Sequence, residues 1–298
     1  MKKHPLVSII MNCHNGEKYL KKSLQSIKNQ EYKNWELIFW DNKSSDKSKK
    51  IFSQFKDKRF KYFFSKKKTV LYKARNNAIK KTKGEFIAFL DLDDFWTKDK
   101  LTKQVPKFKD KKTGLVYSNF FKYYDKNKKK KLAFKEKLSQ GNITKELLEN
   151  YRIGILTVML RKKMIIKRKK IFDYKYDLIS DFDFIIFLSL NCKFACVDKP
   201  LAFYRIHNYQ LQKLRMFEQA KQFCAWYTKK KIEKRFKKYN INKIKKKYYY
   251  FDLIKDIEKN KMKVFVKVFR NFNFVNILKI IAIIILPKNL LYNFIDNV

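Results

Sequence analysis

The chain has 298 residues, 45% of them hydrophobic and 17% aromatic, enough apolar material for a packed core and too much for wholesale disorder. Its 73 Lys and Arg stand against 27 Asp and Glu, a formal net charge of +46, which favours anionic partners, with a membrane surface weighed above nucleic acid. Part of that charge reads as compositional drift, because Lys, Ile, Asn, Phe and Tyr are what an A/T-rich coding sequence over-supplies.

The N-terminus carries two lysines and a short apolar run broken by Ser8, with no small-residue cleavage site, so it reads as a first strand and predicts a protein that stays in the cytoplasm. Apolar runs rich in β-branched and aromatic residues predict strands at 6–11, 35–40, 60–64, 85–90 and 115–119. Between the first two, Leu20, Leu24 and Ile27 recur at helical steps after the turn residues Asn15 and Gly16. Asp46 is placed to cap the next helix, and Thr97 the one containing Leu101, Gln104 and Val105. This alternation predicts an α/β fold with a mostly parallel sheet covered by helices. Residues 126–131, Lys-Asn-Lys-Lys-Lys-Lys, read as a solvated loop, and an apolar run returns at 155–160.

Beyond Tyr209 the pattern changes, dividing the chain into a domain of residues 1–209 and a helical region of residues 210–298. Residues 210–263 read as charged helices. Residues 274–286, ending at Pro287, form an apolar run interrupted by Asn276 and Lys279, short of the ~20 residues that span a bilayer. Flanked by Lys267, Arg270 and Lys288, it reads as a membrane-interface helix; a helix packed on the main domain is the alternative.

Five glycines, at 16, 84, 114, 141 and 154, permit neither Gly-x-Gly-x-x-Gly nor a P-loop, so any phosphate must be held by a metal or by basic side chains. Cys13, Cys192, Cys196 and Cys224 form no Cys-x-x-Cys pair, and with His only at 4, 14 and 207 a structural zinc site is hard to assemble; buried reduced thiols are expected.

The chemistry concentrates in Phe-Leu-Asp-Leu-Asp-Asp-Phe-Trp at 89–96. If the strand at 85–90 runs on to Asp93, Asp91 and Asp93 project to one side about 6.5 Å apart. Carboxylates so close raise one another's pKa, and a hard divalent cation, Mg²⁺ or Mn²⁺, would relieve the repulsion and bridge to a diphosphate. The carboxyl edge of a parallel sheet is also where open α/β folds bind ligands. The plainer reading is that Asp94 caps a helix and Asp91 is a surface residue.

These residues carry a resemblance. Asp91-Leu92-Asp93-Asp94, preceded by Ile87-Ala88-Phe89-Leu90 and followed by Trp96, Lys100-Leu101 and Gln104, resembles the metal-binding segment of the family 2 inverting glycosyltransferases, nucleotide-sugar-dependent enzymes with the GT-A fold. Pro5-Leu-Val-Ser-Ile-Ile with Asn15 and Tyr19, Trp35-Glu-Leu-Ile with Asp41-Asn-Lys-Ser-Ser-Asp46, Ala74-Arg75-Asn76, and Asp181-Phe-Asp-Phe with Lys199-Pro-Leu and Tyr204-Arg-Ile-His207 resemble further family segments in the family's order. The resemblance implies donor-binding roles for Asn15, Asp41, Arg75 and Asp91: Asp41 toward the nucleobase, Asp91 toward the ribose, Arg75 near the diphosphate. It implies that Asp93 ligates the metal, that His207 ligates it or touches the diphosphate unless it is structural, and that Asp181 is the catalytic base.

Spacing alone leaves Asp181 and Asp183 open, since they point about 200° apart on a helix that is apolar all round. Ser180 stands where the family usually has Glu, and Asn42-Lys43 replaces the customary Asp-Gly at a turn where a positive φ favours glycine. Trp35, Trp40 and Trp96 are expected in the core rather than as a sugar platform. The function implied is transfer of a sugar from a nucleotide-diphosphate donor, UDP-linked by default, to a saccharide or lipid-linked acceptor at the cytoplasmic face of the inner membrane. A degenerate relative that only binds membrane is the alternative. A nucleic-acid-binding protein would leave the acidic triplet unexplained.

Overall fold

Seven consecutive residues, Val7–Cys13, are buried along their whole length and form β1, as expected of a strand covered on both faces. The computed structural model describes residues 4–166, 170–207, 210, 214–239, 252–253 and 255–256. β1 pairs in parallel with β2 (Trp35–Asp41) and β4 (Phe86–Phe89), and β2 with β3 (Phe60–Phe64). Beyond β4 the sheet turns mixed. β8 (Met159–Arg161) runs antiparallel to both β4 and β6 (Thr113–Tyr124), while β6 runs parallel to β9 (Lys193–Ile206). The short β5 (Phe95–Trp96) and β7 (Lys130–Leu132) add antiparallel to β9 and β6. The order among the described residues is β3-β2-β1-β4-β8-β6-β9-β5.

The helices before His207 are α1 (Glu17–Lys28), α2 (Ser48–Ser53), α3 (Leu71–Ile79), α4 (Lys100–Gln104), α5 (Thr144–Glu149) and α6 (Ser180–Ser189). Alternate positions of β1 (Val7, Ile9, Met11, Cys13) pack with Leu20, Leu24 and Ile27 of α1 and with Leu37, Phe39 and Phe52 into one core. α3 packs on β1 and β2, and its buried Tyr72, Ala74 and Ala78 stand outside that cluster. Since β2 and β4 leave β1 in opposite directions, the carboxyl ends of β1 and β4 border a topological switch point, the place where such sheets take ligands.

Three local expectations change. The strand does not reach Asp93: Leu90 N–H still donates to Ile10 O, after which Asp94 N–H closes a turn on Asp91 O. The lysine run at 126–131 is not all loop, because Lys130–Leu132 pairs with β6 after a turn at Lys128, whose φ is 58°. Thr97 does not cap α4; its hydroxyl donates to Asp99, which occupies the N-cap. Trp35 and Trp96 are buried as core residues, whereas Trp40 is half-buried.

The chain divides after His207 into two units, Met1–His207 and Asn208–Val298. Within the second, α7 (Met216–Lys231) brings Trp226 against Phe223 and Phe236. No helix among the described residues is long and apolar enough to cross a membrane. Residues 274–286 lie outside the described residues.

Candidate active site

The loops after β1 and β2 form one rim. Asp41, 1% exposed, accepts from Ser44 N–H (2.7 Å) and from the Tyr62 hydroxyl (2.6 Å), so its carboxylate holds the loop from inside. Burial, and then Asp41 itself, push the Tyr62 hydroxyl upward, which keeps it a donor. Asn15, at φ 54°, accepts from Ser45 N–H at 2.9 Å and donates its own N–H to Ser44 Oγ at 3.1 Å. Asp46 accepts from the N–H groups of Glu17 (2.9 Å) and Ser48 (3.0 Å), joining the starts of α1 and α2. Burial works against its charge, but hydrogen bonds from the Ser48 hydroxyl and then from the Glu17 and Ser48 N–H groups hold its carboxyl below the ordinary value. Lys43 takes φ 65°, the left-handed conformation in which a glycine is expected.

At the end of β4 the acidic segment is a turn gripped from three directions. Ser23 of α1 donates to Leu92 O (2.6 Å) and Asp94 O (2.5 Å). Arg75 of α3, 2% exposed, donates to Asp91 Oδ1 at 2.5 Å. Burial disfavours its charge, yet Asp91 above all raises its pKa, so the guanidinium stays charged. Burial raises the Asp91 carboxyl; Arg75 opposes that shift and Asp93 reinforces it. From β9, Arg205 donates N–H to Asp94 Oδ1 (2.9 Å) and Nε–H to Asp93 O (2.6 Å). Burial, then Asp93 and Asp91, push Asp94 far upward, making it the structural member of the triplet at 2% exposure. His207 Nε2 lies 3.0 Å from Asp93 Oδ2, and its ring packs on Tyr19 with centroids 5.0 Å apart.

Asp181, in the first turn of α6, is half-buried, whereas Asp183 is 4% exposed. Asp181 Oδ1 accepts from the Tyr72 hydroxyl at 2.9 Å. Tyr72 and Arg75 are one helical turn apart on α3, so that helix reaches Asp181 with one residue and Asp91 with the other. Burial, then Asp181, push the Tyr72 hydroxyl well upward and keep it a donor. Asn76 fixes the segment before α6 through a reciprocal pair with Phe172, at 2.8 and 3.0 Å. Ser180 is fully buried and its Oγ has no hydrogen-bond partner among the described residues.

Asp93 thus meets His207 at 3.0 Å, and Asp91 stands in the same turn with Arg75 on it; Asp181 is joined to the helix of Arg75 through Tyr72, while Asn15 and Asp41 shape the adjoining rim. Sequence reasoning missed Tyr72, Ser23 and Tyr62 and gave Arg205 no role. Only Tyr72 carried a local signal, three residues before Arg75 on a predicted helix. Asp91 and Asp93 keep 31% and 28% of their side chains exposed, and His207 9%. No three His, Cys, Asp or Glu side chains among the described residues gather into a metal-binding group. The two partly exposed carboxylates offer oxygen donors of the kind a hard divalent ion takes together with phosphate oxygens and water.

An acidic turn thus lies at the switch point of a Rossmann-like sheet of the GT-A type, faced by a buried arginine and a second carboxylate on a neighbouring helix. Residues 8–170 match the sequence profile of glycosyl transferase family 2, and the chain belongs to that family. It is 31% identical over 200 residues, 64% of this chain and 75% of the relative, to the UDP-Glc:alpha-D-GlcNAc-diphosphoundecaprenol beta-1,3-glucosyltransferase WfgD of Escherichia coli. Its fold is similar to that of S. aureus TarS 1-349 in complex with UDP-GlcNAc, at TM-score 0.60 and 18% identity, covering 87% of this chain and 74% of that one. It is also similar to the mannosyltransferase PcManGT from Pyrobaculum calidifontis in complex with GDP-Man and Mn²⁺, at TM-score 0.61 and 12% identity, covering 98% and 85%.

Proposed function

We propose that this glycosyltransferase moves one sugar, with inversion, from a nucleotide-diphosphate donor to an acceptor hydroxyl in the synthesis of cell-surface polysaccharide, lipopolysaccharide or glycolipid. The observation that carries the reading is α3, whose Tyr72 holds Asp181 and whose Arg75 holds Asp91, so that a base and a diphosphate-binding turn share one support. The donors named for TarS and PcManGT support a nucleotide diphosphate, and the name of WfgD supports a lipid-linked acceptor. UDP-sugar is the default donor.

A sugar hydroxyl is a poor nucleophile until its proton is removed as it attacks the anomeric carbon; Asp181 takes that proton, oriented by Tyr72. Departure of the nucleoside diphosphate builds negative charge that the fixed guanidinium of Arg75 stabilises. A Mn²⁺ or Mg²⁺ ion held by Asp93, with Asp91 and His207 beside it, would supply further positive charge there. The rim of Asn15 and Asp41 shapes the seat of the nucleobase. The basic surface and the run at 274–286 would keep the enzyme peripheral at the cytoplasmic face of the inner membrane.

The test is a thermal-shift screen of UDP-, GDP-, CMP- and dTDP-sugars with and without Mn²⁺, beside Asp93→Asn. A ligand that binds only the folded state raises the melting temperature. One nucleotide should give a metal-dependent shift that the variant loses; a folded protein indifferent to every donor rejects the reading.

A further inference from the structure

Beside the acidic turn, α1, β5 and the turn between β6 and β7 border a second cleft of about 760 Å³. Lys18, Lys21, Lys22, Lys98, Lys128 and Arg205 line it, with Asp125 as the one carboxylate of the lining. Lys18, Lys21 and Lys22 share one face of α1 through their three- and four-residue spacing. Asp125 is already engaged by Arg205 Nη1 at 2.7 Å, Lys128 Nζ at 3.3 Å and the Tyr19 hydroxyl at 3.4 Å. Lys21 and Lys22 make no ion pair among the described residues. The Lys22 ammonium stands 3.8 Å over the Phe95 ring and 4.6 Å over Tyr123, which strips part of its water. Burial, then repulsion from Arg205 and Lys128, lowers its pKa. Lys98 is paired with Glu31 at 3.4 Å, outside the lining; the remaining cations converge on one concavity with a single, occupied carboxylate and repel one another unless an anion is shared among them.

We propose that this cleft is a second anion site, separate from the Asp91–Asp93 turn, that takes a multiply charged phosphate group such as a diphosphate. Several lysines act as mobile point charges, suited to a group with many oxygens and more than one negative charge, whereas a lone carboxylate would answer only one of them. The group can come from the headgroup of a membrane lipid or from a free polyphosphate. Arg205 spans the cleft and the turn, touching Asp125 on one side and Asp93 and Asp94 on the other, so occupancy here bears on the acidic segment. The inference rests on the charge and geometry of the cleft and is independent of the donor reading.

The experiment uses the full chain in EDTA, which keeps divalent ions from the acidic turn. Inorganic pyrophosphate is titrated calorimetrically, and phosphatidylcholine vesicles with and without phosphatidic acid are co-sedimented. Lys21→Glu/Lys22→Glu is compared with Lys109→Glu/Lys111→Glu, an equal charge change at exposed positions outside the cleft lining. The cleft variant should weaken binding at least roughly tenfold and the control less than about twofold. Loss confined to pyrophosphate identifies a free polyphosphate, and loss confined to the phosphatidic acid vesicles a lipid headgroup; either supports the site. Equal weakening by both variants, or no binding of either probe by the wild type, overturns it. Should Lys21→Glu/Lys22→Glu lower the melting temperature, Lys21→Gln/Lys22→Gln is read instead, with a severalfold loss expected and no loss overturning the site.

Discussion

Asp181 and Asp183, the two acids that sequence spacing left open, differ in their surroundings. Asp181 is half-buried and held from α3, while Asp183, two residues on, is 4% exposed. Replacing Asp181 by Asn should lower kcat by about 10²–10⁴ and leave the donor-induced thermal shift in place, because a base acts on the acceptor's proton and not on donor binding. Asp183→Asn should leave kcat within a factor of about three. The reverse ranking in steady-state kinetics would move the base to Asp183. Lys43 poses a stability question instead. At φ 65° an exposed lysine holds a conformation that costs an L-residue about 1–2 kcal/mol and glycine almost nothing. Glycine's greater freedom in the unfolded chain offsets part of this, so Lys43→Gly should stabilise the fold by roughly 0.5–1 kcal/mol, read as a higher urea midpoint at unchanged slope. The need for glycine was legible only through the family resemblance, in which Asn42-Lys43 stands for the customary Asp-Gly. The partners of Asp41 were not, since Tyr62 comes from another strand and only the folded sheet brings it near.

Among the elements, the first four strands and α1 announce themselves through apolar period and length, and their errors lie at the ends. The reading of 85–90 as a strand that runs on to Asp93 failed because what stops it is not local. Ser23, on a helix far earlier in the chain, takes the Leu92 and Asp94 carbonyls and turns the segment away from the ladder. The two residues of β5 are too few for any periodicity, and the lysines of β7 disguise a hairpin as a charged loop. α4 hides a further anomaly. Lys100 is fully buried, its ammonium donating to Gln104 Oε1 at 2.5 Å and lying 4.2 Å over Trp96. Burial pushes its pKa down from 10.5 to about 7. Between those values the unfolded chain holds a proton that the folded chain has released, so this contribution to stability is complete above pH about 10.5 and is lost as pH falls to about 7. Lys100→Met removes the titration and leaves Gln104 Oε1 without its partner, a constant cost. Relative to wild type, its melting temperature should therefore be most favourable near pH 7 and should lose ground steadily toward pH 10. A difference independent of pH would show that Lys100 does not titrate in that range.

For the whole molecule, the alternation of apolar runs announces a layered α/β fold but not the direction of its later strands. Direction is set by connections, and β8 returns antiparallel after a short helical turn at Ile155–Thr157 that has no distinctive composition. The division of labour follows from where the site residues fall. Asn15, Asp41, Arg75, Asp91, Asp93, Asp181 and His207 all lie in the unit that ends at His207, and the sheet that positions them is complete at Ile206, the last residue of β9. The second unit has an apolar nucleus of its own in Phe223, Trp226 and Phe236. Residues 1–209 expressed alone should therefore fold cooperatively and give the same metal-dependent shift with the same nucleotide as the full chain, with a Kd within about threefold. Because the run at 274–286 is the stretch of sequence best suited to an interface, the shortened chain should also sediment less with anionic vesicles than the full chain does. A shortened chain that is folded but no longer binds donor would place part of the nucleotide site beyond His207. One that binds donor and vesicles equally well would assign membrane attachment to the basic surface of the first unit.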